Sequence, residues 1–442
     1  MTAFQTEQLA LAEQQPALPF LAQLNQQGKD AFAVATIPTR KTENFKYTSL
    51  LKLTQAQYGA ASNHKATDAL INAATIKGLN AARLVFINGQ VVTELSDALA
   101  LKEVVLFSQA NSEQQQLIND KLGKNVGNAH KTSHLFNDLN NAATREGVLV
   151  HIGRNQKLEK SLQISHLTTS DAQPFSLNQR LLVVLEQGAQ ANLVEHYGSD
   201  EQEQVSFTNA LTEIYVGDNA SLQHYRLLTM QEQAQHIGSA YTDLHRDSQY
   251  QAFHLSLGSA LSRSDIVVNH NVGGSHAELS GVYIPQHQDV VDYHSCIEHR
   301  AAHCTSNEVF RGIMNDRAKA VFNGRIHIWQ NAQKSDAQLN NKNLLLTNTA
   351  EIYTKPELEI YADDVKCAHG ATVAQLDDKS VFYLQSRGIS KKDAEIMLSF
   401  GFINELLEAL PDEAITQFLR PMLEQRFQTA GRLSQELLED LK

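Results

Sequence analysis

Gly188-Ala189-Gln190-Ala191-Asn192-Leu193 returns in altered form as Gly217-Asp218-Asn219-Ala220-Ser221-Leu222, and a related Asp316-Arg317-Ala318-Lys319-Ala320-Val321 follows later. The spacing between the copies is irregular, but each pairs small residues with the start of an apolar run, as a stacked repeat does at its corners. Around these copies, from Gly147 to Leu384, short apolar runs of strand length alternate with polar residues. Gly, Asn, Asp and Ser separate the runs, and no long helical period intervenes. This texture predicts an all-β core built as a solenoid of short strands.

Outward toward the C-terminus, Ala350 to Ile389 reads AEIYTKPELEIYADDVKCAHGATVAQLDDKSVFYLQSRGI. Its first half alternates and falls out of step at Pro356, which predicts a strand interrupted once and then resumed. Farther on, Cys367 and His369 stand two apart, so in an extended chain both project from one face. A thiolate and an imidazole side by side can hold a soft metal. Two ligands do not complete a stable iron or zinc site, so the rest must come from elsewhere, for instance another chain. From spacing alone, such a pair is more often a packed thiol beside a hydrogen-bonded imidazole.

This stretch, with its run of Leu358-Glu359-Ile360, Ala362 to Cys367, His369 to Val373 and a closing Ser386-Arg387-Gly388-Ile389, closely resembles the SufD family of iron–sulfur cluster assembly proteins. Pro38 to Thr48, Phe322 to Ile326 and Asn343 to Leu346 look like segments of the same family. Two positions depart from it: Phe45, where relatives often carry tryptophan, and Ala368, where many carry serine. The resemblance implies that the core is a right-handed parallel β-helix and that the chain is a non-enzymatic scaffold component. It implies that Cys367 and His369 lie at the contact with a SufB partner, as metal ligands where a nascent iron–sulfur cluster is built and shared transiently. It implies further that the C-terminal helices dock the SufC ATPase and that a reduced flavin can associate with the assembled SufB–SufC–SufD complex. An isolated copy is expected to pair with itself through the edge meant for SufB.

The 442 residues, 42% of them hydrophobic, are enough for a large core. Thirty-seven Lys and Arg against 49 Asp and Glu give a net charge of −12, which argues against nucleic acid as a partner. The first thirty residues lack the basic and apolar regions of a signal peptide, and no apolar run is long enough to span a membrane, so a cytoplasmic protein is expected. The three cysteines, Cys296, Cys304 and Cys367, fit free thiols in a reducing compartment.

Helical periods mark Gln5 to about Gln27, with Leu9, Leu11, Phe20, Leu21 and Leu24, and Ser112 to Glu146, with Leu117, Leu122, Leu135 and Leu139. Between them, Leu84 to Val92 reads as a hairpin around Asn88-Gly89. After Gly388 the helical period returns, with Ser390 as the cap and Ile396, Leu398, Phe402, Leu406 and Leu407 as the stripe. A second helix is expected after Pro411 and a third after Pro421. The stripe can bury itself within its own chain or against a partner. The resulting division is a mostly helical region over residues 1–145, a β-helix core over 146–386 and a helical region over 387–442.

His287, His294, Cys296, His299, His303 and Cys304 cluster within eighteen residues. No paired zinc-type element appears among them, and alternation places Asp292, His294, Cys296 and Glu298 opposite Val291, Tyr293, Ser295 and Ile297. A polar ladder on a strand face is favoured over a metal site, with Cys304 as the candidate exception. Asp363 and Asp364 are neighbours on a strand and point to opposite faces, so they suit a turn or a salt bridge with Lys366 or Arg387 better than paired acid–base work. No phosphate-binding Gly-x4-Gly-Lys-Ser/Thr loop occurs, so no ATP site is expected, and no Gly-x-Ser-x-Gly elbow occurs either. The competing reading is a β-helical carbohydrate-active enzyme of the polysaccharide lyase type, which would need converging acidic and basic groups along the solenoid face.

Overall fold

The computed structural model describes residues 1–126, 135–200 and 203–428. Three short strands come first, β1 (Ala81–Ile87), β2 (Gln90–Val91) and β3 (Val104–Leu106). The solenoid proper follows as β4 (Val148–Ile152), β5 (Ser161–Thr168), β6 (Phe175–Leu185), β7 (Gln190–Ser199), β8 (Ser206–Val216), β9 (Ser221–Thr229), β10 (Ala234–Leu244) and β11 (Gln249–Ser256). It continues through β12 (Leu261–His270), β13 (His276–Tyr283), β14 (Val290–His299), β15 (Thr305–Met314), β16 (Lys319–Ile328), β17 (Asp336–Leu345), β18 (Glu351–Ile360) and β19 (Lys366–Ala374). From β4 onward odd strands form one sheet and even strands the other, each strand pairing in parallel with the strand two later, through about eight turns. The all-β solenoid read from the sequence is the observed fold.

The turns differ in length: Gln235 lies beside Leu261, 26 residues on, whereas Val148 lies beside Leu181, 33 residues on. That unevenness is why the sequence repeat is irregular. At one corner the chain adopts a left-handed backbone at Gly188, Asn219, Asp247, Gly274, His303 and Lys334, each two residues before an odd strand. Gly, Asn and Asp tolerate that conformation best. The next residue in each turn, Ala189, Ala220, Ser248, Ser275, Cys304 and Ser335, is small and fully buried. The true partner of Gly188 is therefore Asn219, and the sequence echo that set Gly188 against Gly217 is two residues out of register.

The interior is lined by every second residue. An apolar file including Leu193, Leu222, Leu279, Ile266, Phe310 and Leu339 fills it, joined toward the other end of the odd strands by buried polar groups. The sheets also have packed outer faces. Helices α1 (Ala3–Glu13), α2 (Ala22–Val34), α5 (Ser112–Lys121) and α6 (Leu135–Ala143) flank the even sheet, where Phe136 meets Phe207 and Leu122 packs with Leu182. The short helices α3 (Leu51–Gln55) and α4 (Asp68–Ala74) complete the N-terminal set. Helices α7 (Asp378–Ser386), α8 (Lys391–Glu408) and α9 (Glu413–Gln428) follow the last strand. α8 and α9 lay Ile396, Phe400, Ile403, Leu407, Ile415 and Leu419 on the odd sheet against Leu227, Phe253, Leu255 and Ile313. The C-terminal stripe thus buries itself within its own chain.

Several local readings change. The helices expected over residues 5–27 are two, α1 and α2, because Pro16 and Pro19 break the period. The period over residues 112–146 likewise yields α5 and α6, with 127–134 outside the described residues. The Asn88-Gly89 hairpin is present, both residues having positive φ, but its first strand also extends the odd sheet beside β5. β18 runs unbroken through Pro356, with Ile352, Thr354, Pro356 and Leu358 in step. As the outer strand of its sheet it has a neighbour on one side only, where a missing N–H is tolerated. α7 was unexpected inside a strand-like stretch; the Asp377 carboxylate accepts from the backbone N–H groups of Lys379 and Ser380 and starts it. In α8, capped by Ser390 as expected, Phe400 and Ile403 are buried rather than Leu398 and Phe402. No third helix begins at Pro421, which lies inside α9.

Candidate functional site

The solenoid ends in two bare edges. At its start each sheet is closed by a short antiparallel strand, β2 beside β1 and β3 beside β4, while at its end β18 and β19 have no further strand neighbour among the described residues. The inward-facing side chains of the last turn are therefore uncovered along the solenoid axis.

Cys367 and His369 occupy this end. Cys367 stacks on Ala337, which continues the inward file through Ser306 and Ala277, and His369 stacks on Leu339, Glu308 and Leu279. Their counterparts one turn back are buried, so both candidate ligands face inward from the last turn, with Cys367 half-buried and His369 exposed. Behind them, Thr354 donates to Asn341 Oδ1 at 2.8 Å, and Asn343 Nδ2 donates to the Thr372 carbonyl at 3.2 Å, tying β18 and β19 to β17. Burial pushes the Cys367 thiol above its ordinary value and the Asp336 carboxylate adds to this, against one backbone hydrogen bond at Ala337. The thiol is thus protonated near neutral pH, and a metal would have to displace that proton to be bound by it. In the native protein a single iodoacetamide label is expected, at Cys367, because Cys296 and Cys304 are buried. At neutral pH its rate should lie below that of a free cysteine, and it should go on rising into alkali beyond the pH at which the free thiol levels off. Mass spectrometry of the labelled chain checks this, and labelling of Cys304 before Cys367 would contradict it.

The His287–Cys304 group does not converge. His294 and Cys296 lie on the outer face of β14, His299 faces inward and stacks on His270 at 4.5 Å, and His287 and His303 occupy corners with positive φ. The outer face is the polar ladder anticipated: Asp292 meets Arg263 at 2.6 Å and His294 at 2.9 Å, and Glu298 meets Arg325 at 2.7 Å and His327 at 2.8 Å. Burial opposes ionisation of Glu298, but hydrogen bonds from His327, Trp329 and Arg325 hold its carboxyl at about 2. Burial and Glu298 push the Cys296 thiol up to about 12 although Arg325 lies 3.1 Å from its sulfur. Cys304 sits in the column of small corner residues, with the Ser275 hydroxyl 3.5 Å from its sulfur. Among the described residues no three His, Cys, Asp or Glu side chains gather as a metal-holding group. Asp364 pairs with Lys334, a residue of the preceding turn, rather than with Lys366 or Arg387.

Sequence reading missed Glu308. Burial pushes its carboxyl up to about 7, against a hydrogen bond from Ser295, and it lies two turns behind His369 in the same inward file. Only the register of the stacked turns reveals that relation.

Fold and site together define a two-sheet parallel solenoid that offers one thiol and one imidazole at an open end. Two family models match this chain: the SUF system FeS cluster assembly SufBD core domain over residues 166–402, and the SufBD protein N-terminal region over residues 1–164. It is 35% identical over 404 residues, covering 90% of both chains, to the iron–sulfur cluster assembly protein SufD of Escherichia coli (strain K12). It is also 32% identical over 411 residues, again 90% of both, to an iron–sulfur cluster assembly SufBD family protein of Synechocystis sp.. The chain belongs to the SufB/SufD family of SUF-system iron–sulfur cluster assembly proteins, with its SufD members. The polysaccharide lyase reading loses its footing with that membership. No helix of the described residues is long and apolar enough to cross a membrane.

Proposed function

We propose that this chain is the SufD subunit of a SufB–SufC–SufD scaffold, and that Cys367 and His369 assist iron entry and nascent cluster formation where it meets SufB. The observation that carries the reading is the placement of both side chains on the inward face of the last turn, which no further turn covers among the described residues. A cluster needs about four ligands, so a second chain joined at this end would complete the shell and leave the product releasable. The cluster is cargo rather than a resident group, and the chain itself is no enzyme. A SufB partner of the same architecture would extend the sheets from β18 and β19, and an isolated copy would use the same edges for self-pairing. SufC would bind the C-terminal helices, where α7 exposes Phe382 and Tyr383. ATP binding by SufC would then shift the interface and open the site, and a reduced flavin would associate with the complex rather than with this chain alone. The complex works in the cytoplasm, consistent with three free thiols.

Co-expression with SufB and SufC, followed by anaerobic iron and sulfide analysis, tests the site. His369→Ala is expected to lower bound iron severalfold with the subunit ratio unchanged. Unchanged iron in both His369→Ala and Cys367→Ala complexes would remove the site from these residues.

A further inference from the structure

Three residues form a buried relay inside the solenoid, between its two ends. Glu195 of β7, His224 of β9 and Tyr250 of β11 are all fully buried. The His224 ring links the other two, with Nε2 2.8 Å from Glu195 Oε1 and Nδ1 2.9 Å from Tyr250 Oη. Burial opposes ionisation of Glu195, but Arg226 and His224 more than offset it and hold the carboxyl well below its usual range. Its other oxygen accepts from Tyr197 Oη at 2.7 Å and Thr212 Oγ1 at 2.9 Å. A carboxylate can only accept, so Nε2 carries the imidazole proton and Nδ1 keeps a lone pair. The Tyr250 hydroxyl therefore donates to Nδ1.

This order of phenol, imidazole and carboxylate has a chemical consequence. Burial raises the Tyr250 phenol above its ordinary value, against a hydrogen bond with Thr242, so the phenol keeps its proton at rest. Removal of one electron reverses that preference, because a phenol radical cation is a strong acid. The proton then has only the hydrogen bond to Nδ1 to cross, and the imidazolium so formed is paired with Glu195. No charge is left without a partner in the dry interior.

A file of rings joins the relay to the open end. The Tyr283 hydroxyl hydrogen-bonds to Asn341 and Asn343, whose register partners Ala371 and Val373 lie on the last strand. From Tyr283 the ring centroids run 5.8 Å to Tyr293, 6.3 Å to His254, 6.3 Å to His224 and 6.1 Å to Tyr250, and every member is buried. Electrons cross gaps of this size by tunnelling, without motion of the chain.

We propose that Tyr250 is a redox-active tyrosine, which gives one electron along this file to a strong one-electron oxidant at the open end while its proton passes to His224 Nδ1. The oxidant is of the carbonate-radical class, which ferrous iron and peroxide generate in bicarbonate. It leaves as carbonate, and the protein keeps a neutral phenoxyl at Tyr250 beside an imidazolium at His224. The relay thus draws oxidising equivalents away from Cys367. The source of the oxidant rests on iron being handled at that end; the redox chemistry of Tyr250 does not.

A tris(bipyridine)ruthenium iodoacetamide attached to Cys367 of the full chain places a photo-oxidant at the open end with no iron present. After a flash with a cobalt(III) pentaammine quencher, a tyrosyl absorption that outlives those of surface tyrosines is expected. Freeze-trapped in protein grown with nitrogen-15 histidine, the radical should show a nitrogen coupling by electron–nuclear double resonance. Tyr250→Phe, which keeps the ring, should lose the long-lived signal, and His224→Gln, which has no base at that position, should cut its yield severalfold. No long-lived radical in the wild type, a radical without histidine coupling, or an unchanged signal in Tyr250→Phe each overturns the proposal. The wild-type coupling decides the matter even if a variant fails to fold.

Discussion

Arg263→Ala is expected to destabilise the protein by about 3–5 kcal/mol, seen as a lower midpoint in urea unfolding. The guanidinium is fully buried on the outer face of β12 and holds three acceptors: Asp265 through two hydrogen bonds of 2.8 and 3.1 Å, Asp292 at 2.6 Å and the Asn44 carbonyl at 2.9 Å. It also lies 4.2 Å over the Phe45 ring. Burial raises the Asp292 carboxyl, but Arg263 and His294 more than offset this and hold it well below the usual carboxylate range. The sign follows from that depression. Asp292 adds stability above the ordinary carboxylate value and loses it as pH falls through the folded value. Without Arg263 the buried carboxylate favours its protonated form, so the deficit of the variant should be greatest at neutral pH and shrink on acidification. Arg263→Lys should recover only part of the loss, since an ammonium cannot match the two-pronged contact with Asp265. A neutral-pH deficit under about 1 kcal/mol would contradict the account.

Phe310→Ala should cost a similar amount, about 3–5 kcal/mol, for a different reason. The ring is fully buried on the solenoid axis, with Tyr293 and Phe322 centroids 5.5 and 5.1 Å away and His254 at 6.3 Å. It lies against Gly281 of the preceding turn, where a Cβ would fall 2.3 Å from the ring edge. Strands fixed by parallel ladders on both sides cannot close over the gap, so the cavity term remains nearly whole. Equilibrium unfolding should show no pH dependence of this deficit, in contrast to Arg263→Ala. A loss below about 1.5 kcal/mol would mean that the neighbouring rings repack.

The difference between these two positions mirrors what the sequence could and could not disclose. Alternation from Val291 to Glu298 divided inward from outward residues correctly, because a strand has only two faces. The same rule placed Cys367 and His369 together. What escaped was everything set by stacking between turns: that Gly188 answers Asn219, that Cys304 stands in a column of alanine and serine, and that Glu308 lies behind His369. Corners of unequal length scramble that order along the chain while preserving it in space. α7 escaped for a local reason, since Val381, Phe382 and Tyr383 favour strands and the cap at Asp377 outweighs them. Pro421 looked like a helix start and is instead carried within α9. The link of Pro38–Thr48 to the far end of the body was equally hidden. Tyr47 stacks on Tyr353 at 3.9 Å, Lys355 pairs with Glu43 at 2.9 Å, and Thr48 donates to Asp292 at 2.6 Å.

The closing of one end of each sheet by β2 and β3 limits how such bodies combine. A two-residue and a three-residue antiparallel strand offer little to a parallel newcomer, so sheet growth by parallel addition has one direction left, beyond β18 and β19. In the language of bonding, the body is monovalent. Two such units that met end to end would satisfy each other and leave no edge for a third, so association through these edges would stop at pairs and not grow into fibres.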